Sequence, residues 1–388
     1  MEAPSLLYDF SPAVRLMLMG ILVALVPLAW LWLRQRRATG LQRLRALAVL
    51  TLLLTFDLVL FGAFTRLTDS GLGCPDWPGC YGSASPVGAR AEIAAAQSAM
   101  PTGPVTHGKA WVEMVHRYLA TGVGVLIIGL AGASWWLRRR YPAVRPWWAA
   151  VTLLWVCLQG AFGAWTVTMK LFPAIVTLHL AGGLVLLALL CAQAVRLGQA
   201  VRGLPAIGIA PGLRWLAGGV FALVVVQILL GGWVSTNYAV LACTGFPVCQ
   251  GSWWPVMDFG QGFQIWRPLG MLQDGSHISF AGLTAIHYAH RLCAYAALAG
   301  LLLLAARLRR MPALRRQSRW LGGLALWQFA TGLSNVVLGW PLIAAVAHTG
   351  GAAALVVVLT WTLCASRAAR QPLPQEDVCG APLRGVAL

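Results

Sequence analysis

Long apolar segments with almost no charge recur along the whole chain, and they constrain its fold more than any other feature. Of 388 residues, 59% are hydrophobic and only 10% are charged. A helix needs about 20 apolar residues to cross a hydrocarbon core of about 30 Å. We therefore predict an all-α polytopic membrane protein with about nine transmembrane helices, at 13–33, 46–65, 112–137, 147–168, 174–195, 214–236, 281–306, 320–340 and 342–365. The last two meet at Trp340-Pro341, which predicts a tight turn.

The basic residues predict how the chain is oriented. The net charge of +18 comes from arginines clustered between the apolar segments, which indicates membrane orientation rather than nucleic-acid binding. Successive loops lie on alternating sides of the membrane, and 21 of the 29 Lys and Arg residues then fall on the same side. We expect a bacterial inner-membrane protein with that side and the C-terminus cytoplasmic. The N-terminus, in which no signal or transit peptide is expected, and the loops 66–111 and 237–280 would then be periplasmic.

An internal repeat divides the chain. Cys74-Pro-Asp-Trp-Pro-Gly-Cys80 returns as Cys243-Thr-Gly-Phe-Pro-Val-Cys249, 169 residues later, and the same offset relates His179 to His348. His116-Arg117 returns as His290-Arg291 at an offset of 174. Equivalent points are four apolar segments apart, so the halves should share one topology, related by an axis along the membrane normal.

The repeat predicts two pseudo-symmetric four-helix bundles plus one extra N-terminal helix. The expected divisions are an extra helix and cytoplasmic loop in 1–45, an N-terminal half in 46–200, a C-terminal half in 201–370 and a cytoplasmic tail in 371–388. The first apolar segment has no equivalent in the repeat, and we expect no catalytic role for it.

Four histidines follow the repeat, each near the outer end of an apolar segment: His116, His179, His290 and His348. Ionisable residues inside a membrane are costly and commonly functional. Two helices that each offer an imidazole can ligate a haem iron on both faces. Zinc is the competing metal, but it would need further ligands nearby, and the remaining cysteines do not follow the repeat. The plain alternative is a core histidine bonded to a backbone carbonyl.

Acidic and basic residues accompany the histidines. Arg117 and Arg291 directly follow a histidine and Arg66 ends the second apolar segment, which suits the haem propionates. Snorkelling to lipid headgroups is the alternative. Glu113 precedes His116 by three residues, whereas the equivalent residue before His290 is His287. Glu113 is therefore a candidate for proton transfer or for stabilising a cation, with an ion pair to Arg117 as its alternative role.

The loop cysteines should form two disulfides, Cys74–Cys80 and Cys243–Cys249. They lie on the side predicted to be oxidising, and each pair encloses five residues that include Pro, which allows the chain to turn back. A structural bridge and a redox relay are both compatible with this position.

These motifs resemble the haem A synthase family. The resemblance rests on Gly62 to Cys80, on Glu113-Met-Val-His116-Arg117 and on Gly231-Gly-Trp-Val-Ser-Thr-Asn237, and it runs from about 50 to 365. It implies two successive oxidations of the C8 methyl of haem O to a formyl group, producing haem A for haem–copper oxidases. It also implies that His290 and His348 ligate a permanent haem b, that His116 and His179 frame the substrate haem iron, and that Glu113 is catalytic.

The expected partners are haem O and the lipid bilayer. Haem O synthase, oxidase assembly factors and a second copy of the chain are further candidates that the sequence does not decide between. The competing class is a dihaem b-type cytochrome that passes electrons between quinone and a partner. It would need four histidines but not the single acid Glu113. A transporter is disfavoured because no segment is broken at mid-depth.

Overall fold

Helices dominate the computed structural model, which describes residues 11–368. Their bounds are α1 Ser11–Arg34, α2 Gly40–Leu67, α3 Arg90–Ala99, α4 His107–Leu137, α5 Pro146–Thr168, α6 Pro173–Arg202, α7 Pro211–Thr236, α8 Phe259–Gly262, α9 Phe280–Arg309, α10 Arg315–Val337 and α11 Leu342–Ala365. Strands β1 (Ile207–Ile209) and β2 (Ser366–Ala368) form one short parallel pair. The predicted tail at 371–388 and the first ten residues of the 1–45 segment lie outside the described residues.

Eight of the described helices are long and apolar enough to cross a membrane: α1, α2, α4, α5, α6, α7, α9 and α11. The ninth predicted segment, 320–340, corresponds to α10. This helix begins five residues earlier than predicted, with Arg315, Arg316 and Arg319 in its first turns, and polar residues such as Gln328 and Asn335 lower the hydropathy of the remainder. It still occupies the position in the second half that α5 occupies in the first. The fold is thus the predicted all-α polytopic one.

Local signals set where the histidine-bearing helices begin. Thr106 caps α4 by accepting a hydrogen bond from Lys109 N (3.3 Å), and Ser279 caps α9 by accepting one from Gly282 N (3.1 Å). Helices α5, α6 and α7 each start with a proline, whose fixed φ suits the first helical turn. His179 and His348 are each the seventh residue of their helix. The hydroxyl caps of α4 and α9 and the positions of His179 and His348 therefore follow the sequence repeat.

Equivalent residues of the two halves contact each other at the C-terminal ends of α2 and α7. Arg66 Nη2 donates to the carbonyl of Ser235 at 2.5 Å, and the Tyr238 hydroxyl donates to Asp69 Oδ1 at 2.5 Å. In both contacts the partners are 169 residues apart, the repeat offset. Because a residue can touch its own counterpart only near a two-fold axis, this contact places the pseudo-symmetry axis between α2 and α7. Burial raises the pKa of Tyr238, which keeps its hydroxyl protonated as a donor.

The extra helix α1 packs mainly against α4, outside the repeat. Gly20 allows this close approach, because a Cβ at this position would lie 2.4 Å from Thr121 Cγ2. Between the halves, α6 packs against α11 and α7, and α2 packs against α11. The four helices α2, α6, α7 and α11 thus form the central contact, and α4, α5, α9 and α10 lie outside them.

Candidate functional site

The four repeated histidines form two pairs, one in each half. His116 on α4 and His179 on α6 lie close enough to interact electrostatically, and so do His290 on α9 and His348 on α11. All four side chains lie deep between helices but keep some accessible surface. Each half therefore offers two imidazoles from different helices facing a common space.

A glycine on a neighbouring helix lies beside each imidazole. A Cβ added at these glycines would approach the histidine Cε1 atoms closely, at 3.1 Å for Gly62 and His116, 3.5 Å for Gly163 and His179, 2.9 Å for Gly231 and His290, and 3.2 Å for Gly332 and His348. The four glycines also follow the 169-residue offset. The paired imidazoles are a donor set that fits haem with two axial histidines. The glycines leave space beside each ring that a Cβ would fill.

The two histidine pairs differ in the hydrogen-bond partners of their Nδ1 atoms. His290 Nδ1 lies 3.1 Å from Gln227 Nε2, and His348 Nδ1 lies 2.9 Å from Thr331 Oγ1. The Nδ1 atoms of His116 and His179 are buried without a hydrogen-bond partner among the described residues. Among residues 11–368, the C-terminal pair alone therefore has hydrogen-bond partners on its Nδ1 atoms.

Glu113 joins α4 to the first disulfide loop. Its Oε1 accepts from Arg117 Nη2 at 2.5 Å, and its Oε2 accepts from the backbone N–H of Cys74 at 2.8 Å. The side chains of Glu113 and Arg117 are 5% and 8% exposed. The ion pair with Arg117, which the sequence left as an alternative role, is thus present. It places a buried carboxylate between the disulfide loop and the helix that bears His116.

Arg117 completes this anchor. Its Nη1 donates to the carbonyls of Gly79 (2.5 Å), Asp76 (3.1 Å) and Pro78 (3.2 Å). Asp76 in turn accepts from the backbone N–H groups of Tyr81 and Gly82. The loop is therefore fixed to α4 by charge-assisted bonds, which are the stronger class of hydrogen bond.

The second half makes the same anchor with a different residue. His287 Nδ1 lies 3.1 Å from the carbonyl of Ala239, and its Nε2 accepts from Arg291 Nε at 3.3 Å. Arg291 Nη2 donates to the carbonyl of Cys243 at 2.7 Å. These contacts require His287 to be neutral, because one ring nitrogen donates and the other accepts. Both halves hold their loops in this way, and only the first half places a carboxylate there.

Both predicted disulfides are present, Cys74–Cys80 and Cys243–Cys249, each with a Cα–Cα distance of 4.8 Å. The four cysteines are fully buried. Arg66 does not join either histidine pair. It bonds Asp69 at 3.2 Å and lies over the ring of Tyr238, 4.2 Å from its centroid. The structure thus brings Glu113, Arg117 and the first disulfide together, and it places Arg66 at the contact between the halves.

Sequence reasoning missed two polar neighbours of the histidines, Gln227 and Thr331. Their positions in the first half are occupied by Leu58 and Phe162. Both positions could have been found in the same way as Glu113 and His287, because the residue type there differs between the two halves of the repeat. A systematic comparison of the halves would have singled them out.

Comparison with known proteins identifies the family of the chain. The family model COX15-CtaA, described as cytochrome oxidase assembly protein, matches residues 45–360. A haem A synthase of Shewanella oneidensis is 39% identical over 310 residues, covering 80% of this chain and 92% of that relative. Haem A synthases of Mesorhizobium japonicum and Caulobacter sp. strain K31 are each 30% identical, covering 89% and 79% of this chain and 96% and 91% of their own lengths. The chain belongs to the haem A synthase family.

Proposed function

We propose that this chain oxidises the C8 methyl of haem O to a formyl group in two successive steps, supplying haem A for haem–copper oxidases. Each step would remove two electrons and two protons and add a hydroxyl from water, with the electrons passing to an external one-electron acceptor, and the hydrated aldehyde formed by the second step would lose water. The observation that carries the proposal is the inequality of the two histidine pairs. One half combines a buried carboxylate with histidines whose Nδ1 atoms lack partners, and the other replaces the acid by His287 and gives its histidines partners. A pure electron carrier has no need of such a difference.

The two halves then have different tasks. His290 and His348 hold haem b in the C-terminal half, 201–370, and His116 and His179 frame the iron of the substrate haem O in the N-terminal half, 46–200. Bound haem b would supply a one-electron redox centre. We assign to Glu113 the role of accepting a proton or of stabilising positive charge that develops on the methyl carbon.

We propose that Arg66, Arg117 and Arg291 bind haem propionates. The hydrogen bonds that these arginines already make limit which N–H groups are available. Arg117 and Arg291 already donate to carbonyls of the disulfide loops, so a propionate would use their remaining N–H groups. Arg66 is paired with the exposed carboxylate of Asp69, a weak surface contact that a propionate can replace. A propionate at Arg66 would bind where the two halves meet.

The orientation in the membrane is tested by reporter fusions. Fusions after Arg140 and Arg310 should report the cytoplasm, and fusions within 85–100 and 260–275 should report the periplasm, because the basic clusters favour the cytoplasmic side. A cytoplasmic signal from either long loop would reverse the assignment of sides and place the disulfides in a reducing compartment.

The reaction itself is tested by extracting the pigments. The full chain is expressed in a bacterial host that lacks its own haem A synthase and is supplied with haem O by a co-expressed haem O synthase. Chromatography of the extracted haems should show haem A. The matched control is the same host with the haem O synthase alone, which should show haem O and haem b only. A dihaem b-type cytochrome would give the pattern of the control, and that result would reject the proposed reaction.

A further inference from the structure

We infer that Gln227 and Thr331 are positioning residues, which hold His290 and His348 in the tautomer that ligates iron and so make the C-terminal half the one that retains its haem. This inference rests on the proposed function, and in particular on haem b binding between these two histidines. It assigns a physical reason for the difference between a retained cofactor and an exchangeable substrate in two halves of similar fold.

Thr331 determines which nitrogen of His348 carries the proton. The Thr331 hydroxyl lies 2.7 Å from the carbonyl of Trp327, four residues earlier on α10, and we assign its one proton to this carbonyl, which can only accept. With the proton assigned in this way, the Thr331 oxygen accepts from His348 Nδ1, which lies 2.9 Å away. A proton on Nδ1 leaves Nε2 unprotonated, with a lone pair free for a metal. Thr331 thus presents His348 as a neutral ligand.

Gln227 can do the same for His290. Its amide lies 3.1 Å from Nδ1 and 3.4 Å from Nε2, so the nearer contact is with Nδ1. Its Oε1 is buried without a partner among the residues described. The two ends of an amide exchange places by a rotation of 180°, which would let Oε1 accept from Nδ1–H. That orientation provides the missing partner for Oε1 and again leaves Nε2 for iron.

The first half has no groups that can make these bonds. Leu58 and Phe162 occupy the positions of Gln227 and Thr331, and the Nδ1 atoms of His116 and His179 find no acceptor between residues 11 and 368. Partners on the second nitrogen of a ligating histidine fix the ring and increase its basicity, and losing one typically weakens metal binding about 10–100-fold. A haem that must enter as substrate and leave as product is better served by the weaker site.

Other contacts around the histidines do not explain the difference. The glycine beside each ring occurs in both halves. Gln328 donates to the backbone carbonyl of His348 at 2.9 Å, but its repeat partner is Gln159, also a glutamine. The side chains at 227 and 331 are the polar groups on the ring nitrogens that distinguish the halves.

The test compares Thr331→Val and Gln227→Leu with the wild-type chain, each purified as full-length protein with its haem. We expect haem b to dissociate from either variant about 10–100-fold more readily, measured by transfer to apomyoglobin. The midpoint potential of the remaining haem b should rise, since a less basic imidazole stabilises ferric iron less. Thr331→Ser keeps the hydroxyl and should restore both values. The matched controls are Thr362→Val, which removes a similar bond to the carbonyl four residues earlier, and Gln193→Leu, which removes a buried amide far from the histidines.

Unchanged haem transfer and potential in both variants would overturn the inference. Equal changes in Thr331→Val and Thr362→Val would also overturn it, because they would show a general packing effect. If Thr331→Val does not fold, two other variants still test the inference. Thr331→Ser should keep the haem as the wild-type chain does, and the reciprocal Phe162→Thr should slow haem release from the N-terminal half. Failure of the proposed function is distinguishable, because it is read from the absence of haem A in the pigment extract, whereas haem b bound elsewhere in the chain is read from a wild-type spectrum in His290→Ala.

Discussion

Replacing His290 or His348 by alanine should strip the low-spin haem b spectrum from the purified protein. Each imidazole comes from a different helix of the C-terminal half, so either substitution removes one axial ligand of the proposed site. The measurement is the visible spectrum of the reduced protein together with its haem-to-protein ratio. His277→Ala is the control, because His277 lies in the outer loop before α9 and belongs to neither pair.

A second variant tests the same site without touching a ligand. A Cβ at Gly231 would lie 2.9 Å from His290 Cε1, a distance that forces the ring to move. Gly231→Ala should therefore lower haem b occupancy, and Gly218→Ala on the same helix, where a Cβ meets nothing within 4 Å, should not. Retention of the wild-type spectrum in both histidine variants would place the ligands elsewhere in the chain.

The sequence was sufficient to predict the helices and the repeat because both depend on patterns along the chain. Apolar length marks the spans, and the offset of 169 relates α5 to α10 and α6 to α11 residue by residue. The disulfides were predictable for the same reason, since Cys74 and Cys80 are close in sequence. Helix α3, which lies in the first long loop, was not expected because its ten residues are too few to span a membrane.

The polar contacts of the site were not predictable in the same way. The bond between Thr331 and His348 depends on how two helices are rotated about their axes, and one residue turns a helix by about 100°. The sequence placed Glu113 and Arg117 on one helix face, which is why their ion pair was foreseen as an alternative. It did not show that both bind the Cys74–Cys80 loop, because that loop folds back onto α4 from about 40 residues away.

Glu113→Gln should abolish haem A formation while leaving haem b in place. Oxidation of the methyl group releases protons and develops positive charge on the methyl carbon. A fixed buried carboxylate can accept a proton and can stabilise that charge. The amide keeps the shape and one acceptor oxygen for the Cys74 N–H but carries no charge. We expect the variant to insert, to bind haem b through His290 and His348, and to accumulate haem O or the half-oxidised alcohol. A loss of about 10²–10⁴-fold in rate is typical when acid–base catalysis is removed.

The ion pair with Arg117 requires a control that separates catalysis from loop anchoring. Breaking a buried pair typically costs about 3–5 kcal/mol, and Glu113→Gln and Arg117→Gln both break it. If Glu113 only anchors the loop, the two variants should lose haem A formation equally. If Glu113 is catalytic, Arg117→Gln should retain more activity, because the carboxylate of Glu113 remains on α4, one turn before His116. Glu92→Gln, in α3, controls for loss of an acid in the same outer region. A normal haem A yield from Glu113→Gln would sink the catalytic role and leave the anchor as its function.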